Sequence, residues 1–209
     1  MDPKRANEVR DDYLVLMREV RVRMDAINRM IRDPGDYDPR VVREFCYLQL
    51  RMIAELVALG CVVAHDSPSR DDLKKLRRDY HADRILKQME NRHQGFFPRA
   101  SVVAQISEGH QEIQPQEGIG FTATQMRDMW ARAGNVLHFG TVNKLRSQKP
   151  VDPEQADVRD YQRRLIDLLS EHVILAQDEM TALHCVMQSE KTGNVEAMVI
   201  AALPTHFGD

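Results

Sequence analysis

The pair Asp-Pro precedes three runs of helical apolar spacing, at Asp2-Pro3, Asp38-Pro39 and Asp152-Pro153. A carboxylate can accept from the free amides of a first turn, and proline at the next position already has a helical φ and lacks an N–H that would go unused there. The first start predicts a helix from Pro3 to Arg32, in which Leu14, Met17, Val20, Met24, Ile27 and Ile31 recur on one side and Asp33-Pro34-Gly35 stops the run. The second predicts a helix from Pro39 to about Ala64 that turns apolar on every side after Arg51 and Glu55, the pattern of a helix surrounded by others. The third predicts a helix from Pro153 that carries Val158, Tyr161, Leu165, Leu168, Leu169, His172 and Leu175 inward and fades after Ala176.

Two more helices complete the expected frame. One begins near Ser67-Pro68-Ser69, where Ser69 and Asp72 have capping-box spacing, and runs through Leu73, Leu76, Tyr80, Leu86 and Met89 until Phe96-Phe97-Pro98. The other opens at Thr122 and Gln125, again a capping-box pair, with Phe121 placed to staple onto Met126, and ends near Phe139 with Gly140 as a left-handed terminator. Between them, Val102 to Ile106 reads as a strand, and Gly109, Pro115, Gly118 and Gly120 mark turns or loop. Near the C-terminus, Leu183 to Gln188 and Val195 to Leu203 flank Lys191-Thr192-Gly193-Asn194, which predicts a β-hairpin that the strand at Val102 can join. The expected fold is mainly α: a bundle of about five helices with a small C-terminal antiparallel β element. It forms a single domain over residues 1–209, with the hairpin near 183–203 as an appendage.

A chain of 209 residues, 43% hydrophobic, can bury the core such a domain needs. Its 29 basic and 32 acidic residues leave a net charge of −3, which argues against high-affinity nonspecific nucleic-acid binding but not against local basic patches. Cys46, Cys61 and Cys185 lack CxxC spacing and read as reduced core residues. The N-terminus lacks the basic and apolar regions of a secretory signal, and the longest apolar run, Leu56 to Ala64, is short of the ~20 residues that cross a bilayer. A cytoplasmic protein without a membrane span is expected. His81 and Asp83, two residues apart, face different helix sides, and neither a metal nor a cofactor site is expected.

Chemistry is hinted at on the helix that starts at Thr122. Asp128, Arg132, Asn135 and His138 follow one another at spacings of four, three and three and form an inclined polar ridge, while Met126, Met129, Trp130, Ala133 and Leu137 face the core. His138 falls at the helix C-terminus, where the macrodipole favours a cation and an imidazole can trade protons. Gly134 in mid-helix costs about 0.8–1 kcal/mol relative to alanine, which implies that another backbone or a ligand approaches closely. A basic run from Lys74 to Arg99, which includes Arg78, and a basic loop carrying Lys144, Arg146 and Lys149 offer a track for RNA phosphates.

Arg132, five intervening residues and His138 resemble the R-x(4-6)-H motif of the HEPN (higher eukaryote and prokaryote nucleotide-binding) superfamily, whose helical domains pair into dimers and often act as metal-independent ribonucleases. The resemblance implies that His138 serves as general acid or base at the ribose 2′-hydroxyl or leaving oxygen and that Arg132 steadies the scissile phosphate. It further implies that two motifs face each other in a homodimer and that cleavage leaves a 2′,3′-cyclic phosphate. The polar residue that usually follows the arginine is Ala133 here, and Asn135 is the candidate for its role. The expected function is an RNA-binding or RNA-cleaving protein of toxin or defence type. The alternative is a non-catalytic helical interaction or scaffold protein, with an unidentified protein partner and a ridge that is only surface. On that reading Asp128 and Arg132 are an ordinary i,i+4 pair. Arg51 and Glu55 read as a structural ion pair fixing helix register, and His65 as a capping or core-edge histidine.

Overall fold

The computed structural model describes residues 2–65, 81–91, 93, 95–107, 110–138, 152, 154–176 and 180–201. Within them lie five helices, α1 (Pro3–Arg32), α2 (Pro39–Ala64), α3 (Ala82–Glu90), α4 (Ala123–Leu137) and α5 (Ala156–Leu169). Five strands accompany them: β1 (Arg99–Ser107), β2 (His110–Pro115), β3 (Glu171–Leu175), β4 (Thr181–Val186) and β5 (Glu196–Ala201). The first two helices start as their Asp-Pro pairs dictate: Asp2 accepts from the amides of Lys4 and Arg5, and Asp38 accepts from that of Arg40.

α1 and α2 form an antiparallel hairpin in which Tyr13, Met17, Val20 and Ile27 meet Cys46, Tyr47, Leu50 and Ile53 without exposure. Gly60 is what lets the helices close there, since a Cβ on it would stand 3.0 Å from the Tyr13 ring. α2 is long and apolar enough to pass as a membrane span, yet 61% of its most apolar window is buried inside this protein, as befits a central helix. Cys46, Cys61 and Cys185 are free and buried.

The small C-terminal β element must be corrected to a five-stranded antiparallel sheet of order β2-β1-β3-β4-β5. The hairpin near the C-terminus is real, pairing Thr181 with Ala201 through Val186 with Glu196, but it continues a larger sheet. The residues that supply the extra strands explain the difference. His172 and Leu175, expected on the last helix, belong to β3: α5 stops at Leu169 and Ser170, and Glu171–Leu175 pairs with β4. His110–Pro115, expected as turns and loop, is β2, paired with β1 from Ser101↔Pro115 to Ser107↔His110. β1 pairs with β3 through Arg99↔Val173 and Ala100↔His172. Beyond them the β1–β2 ribbon leaves the body, with Val102, Val103 and Ile106 exposed.

Other boundaries shift as well. α3 ends at Glu90 with Asn91 as its cap, ahead of Phe96-Phe97-Pro98, and its expected start at Ser67-Pro68-Ser69 lies outside the described residues. α5 begins at Ala156 rather than Pro153; Asp152 instead accepts from the amides of Glu154 and Ala156. The buried Gln155 between them adopts a left-handed backbone, φ 55°.

Candidate functional site

α4 carries the ridge. Its start forms as the sequence predicts, Thr122 Oγ1 accepting from the Gln125 amide at 3.2 Å and Gln125 Oε1 accepting from the Thr122 amide at 3.0 Å. Met126, Met129 and Ala133 face the core without exposure, and Asp128, Arg132 and Asn135 are exposed. The helix ends at Leu137, short of Phe139 and Gly140. His138 caps it in extended backbone (φ −93°, ψ 127°), with its N–H donating to the Gly134 carbonyl at 3.1 Å. Arg132 and Asn135 therefore share a helical face, while exposed His138 hangs one step past its end, about 9 Å further along the axis than Arg132 by helical rise.

The partners of Arg132 lie on other helices. Its Nε donates to Tyr47 Oη at 2.8 Å and its Nη2 to Asp157 Oδ2 at 3.1 Å. Tyr47 Oη donates onward to Asp157 Oδ2 at 2.8 Å, and Arg43 grips the same carboxylate with both Nη atoms, one at 2.6 Å from Oδ1. The ordinary i,i+4 pairing of Arg132 with Asp128 gives way to this four-residue network across α2, α4 and α5. Arg43 and Tyr47 occur one helical turn apart on α2, and Asp157 sits in the first turn of α5, where the helix dipole favours a carboxylate and its Oδ1 also accepts from the Val158 amide. Arg43, Tyr47 and Asp157 escaped the sequence reading because nothing in their spacing links the end of one helix to the middle of another.

Electrostatics fix the charge state of this group. Burial alone raises Asp157, but the bonds from Arg43, Tyr47 and Arg132 outweigh it and hold the carboxyl well below the ordinary range. Burial pushes Tyr47 up to about 12, aided by Asp157 and opposed by Arg132, so the phenol is a neutral donor. The bonds to Tyr47 and Asp157 raise Arg132 further still. Two guanidiniums thus share one carboxylate, and the Arg132 side chain keeps 51% of its surface in solvent. Among the described residues its Nη1 donors have no protein partner, so a fixed cation faces outward.

A second polar cluster lies beneath the ridge. Trp130 Nε1 donates to Glu55 Oε1 at 2.9 Å, Arg51 Nε reaches the same oxygen at 3.3 Å, and the Arg51 guanidinium stacks 4.4 Å over the Trp130 ring. Arg51 and Glu55 are the structural pair expected of them; at Gly134, where another backbone or a ligand is expected to approach, the near neighbour is the Arg51 side chain, since a Cβ there would stand 3.1 Å from Nη1. His65 caps α2, buried, with Nδ1 3.0 Å from the Cys61 carbonyl. Asp83 pairs with Arg127 at 2.8 Å and His81 meets the Trp130 ring edge-on. Among the described residues no three His, Cys, Asp or Glu side chains are grouped to hold a metal ion. Lys74, Arg78, Lys144, Arg146 and Lys149, the expected phosphate track, lie outside the described residues.

No family model, curated protein or solved structure matches this chain.

Proposed function

We propose that this protein binds RNA at the C-terminal half of α4, with Arg132 holding a backbone phosphate, and cleaves it without a metal, with His138 moving the proton. The carrying observation is that Arg132 is half in solvent yet held in direction by Tyr47 and Asp157. A guanidinium whose geometry is set before the ligand arrives loses less entropy on binding phosphate than a free surface arginine, and its outward edge retains paired donors. Ala133 is fully buried, so a polar residue at that position would face the core here, whereas Asn135 is exposed on the Arg132 face and suits the polar role. Pairing of two chains would bring two such arginine and histidine sets together, and a toxin or defence role would follow from RNA cleavage under control of a partner.

The deciding assay incubates purified protein with total RNA in excess EDTA. Cleavage that leaves 2′,3′-cyclic phosphate ends, disappears in His138→Ala and falls by about 10²-fold or more in Arg132→Ala supports the full reading. RNA binding without cleavage, weakened by Arg132→Ala, supports the binding half alone. Absence of both overturns it.

One observation favours the rival, a non-catalytic interaction protein. Asp157 neutralises much of the Arg43 and Arg132 charge while tying three helices together, which is what a structural clamp does. On that reading Arg132→Ala lowers the melting temperature and leaves RNA binding where it was.

A further inference from the structure

A cavity of about 750 Å³ opens between the root of β1, the 116–120 segment and the second half of α5. Its shape is fixed by Gly120, which at φ +77° lies so close to α5 that a Cβ would stand 2.5 Å from the Leu168 Cβ and 2.7 Å from its Cα. Only glycine tolerates both the backbone angle and the approach.

The charges around this cavity are unevenly spent. Arg163 is bonded to Asp160 at 2.7 Å and Asp167 at 3.5 Å, and Glu171 is paired with His184 at 2.9 Å. Arg164, which also lines the cavity, has no carboxylate partner among the described residues; its guanidinium carbon lies 4.2 Å from the centre of the Phe121 ring, a cation–π contact that occupies none of its N–H donors. In the same wall stands Ser101, 4% exposed, whose Oγ has no hydrogen-bond partner among the described residues. A buried hydroxyl left unpaired costs about 1–3 kcal/mol, so such a group marks a place where something polar is meant to arrive.

We propose that this cavity is a binding site for a small organic anion, a phosphate ester or a carboxylate, with Arg164 meeting the anionic oxygens and the enclosed Ser101 hydroxyl turning about its Cα–Cβ bond to add a hydrogen bond at the wall. The two residues come from different elements, and the strap that Gly120 presses onto α5 holds the space between them open. The site is separate from Arg132 and does not depend on the RNA reading.

The test titrates full-length protein, at constant ionic strength, with inorganic phosphate, ribose 5-phosphate and citrate, following binding by calorimetry and by amide NMR shifts at Ser101, Gly118 and Gly120. Saturable binding of one of these probes, with shifts at those amides, a loss of tenfold or more in Arg164→Leu and a partial loss in Arg164→Lys, is the expected result. A preference for ribose 5-phosphate points to phosphate esters and a preference for citrate to carboxylates. In the ligand-free protein Ser101→Ala leaves the melting temperature unchanged or raises it, because no bond is lost, and it weakens probe binding severalfold. No saturable binding of any probe, or binding that Arg164→Leu leaves unchanged, overturns the proposal. So does a clear drop in melting temperature in Ser101→Ala, which would show that the hydroxyl is already satisfied.

Discussion

Arg132 Nε on α4 donates to Tyr47 Oη on α2 at 2.8 Å, so the direction of an exposed cation is set by a buried phenol on another helix. Tyr47 is the hinge of the arrangement, because its hydroxyl accepts from the arginine and donates to Asp157.

Tyr47→Phe separates charge from direction. The substitution keeps both guanidiniums and most of the packing but removes a hydroxyl bonded to two charged groups, at a cost of about 1.5–3 kcal/mol in a urea titration. Arg132 keeps its charge and loses its anchor. RNA binding, measured by fluorescence anisotropy, should weaken about tenfold, less than in Arg132→Ala. Equal affinity in Tyr47→Phe and the parent would mean that direction is irrelevant and charge alone acts.

Asp157 sets an acid limit on the same network. Its folded-state pKa lies below the ordinary carboxylate value, so the stability it contributes is present above about pH 4 and is lost as the pH falls through that value towards the folded one. Asp157→Asn removes this dependence and leaves Arg43 and Arg132 facing each other without a counter-charge. The variant should be less stable at pH 7 by about 1–3 kcal/mol, and the gap should narrow between pH 4 and pH 2.5. A gap that stays constant over that range would place the acid sensitivity elsewhere.

Two glycines should respond to alanine very differently. At Gly134 the new Cβ meets only the end of the Arg51 side chain at 3.1 Å, and the helix gains about 0.8–1 kcal/mol of propensity, so the net change should stay within about 0.5 kcal/mol of zero. At Gly120 the new Cβ collides with backbone and side-chain atoms of Leu168 at a positive φ, and a loss of more than about 2 kcal/mol is expected. Chemical denaturation of both variants checks the pair, and a severe loss in Gly134→Ala would show that Arg51 cannot move.

The elements that were legible in the sequence are those with local start and stop chemistry. α1 and α2 run from Pro3 to Arg32 and from Pro39 to Ala64 because their caps and breakers act within a few residues. β3 was hidden for the opposite reason: His172 and Leu175 continue the helical spacing of Leu165, Leu168 and Leu169, no glycine or proline intervenes, and a short strand buried almost throughout carries no alternation to betray it. What turns the chain at Ser170 is the ladder with β4, a contact between residues that pairing alone brings together. The same holds for the site. Arg132 and Asn135 could be read from one helix, but Tyr47 and Asp157 reach Arg132 from 85 and 25 residues away and become visible only when three helices are packed.

His172 gives the fold a second, milder acid sensitivity. It is fully buried on β3; Nδ1 lies 2.9 Å from the Leu169 carbonyl and must carry the proton it donates there, which leaves Nε2 to accept from Tyr13 Oη at 2.8 Å. Both ring nitrogens are therefore satisfied in the neutral form. Burial pushes the pKa down to about 4, with the Leu169 bond opposing and His184 adding to the fall. The folded value lies below the unfolded one, near 6.5, so the unfolded chain binds the proton first. Stability from this residue is complete above about pH 6.5 and declines as the pH falls towards 4, by about 3 kcal/mol across the window. His172→Gln cannot be protonated, so its urea midpoint should be lower at pH 7 but should fall less than the parent's between pH 6.5 and 4.5. His184 and Glu171 remain in both proteins, so the difference between the two slopes belongs to His172. Parallel slopes would mean that the buried imidazole takes up its proton without strain and that Tyr13 can turn its hydroxyl to suit.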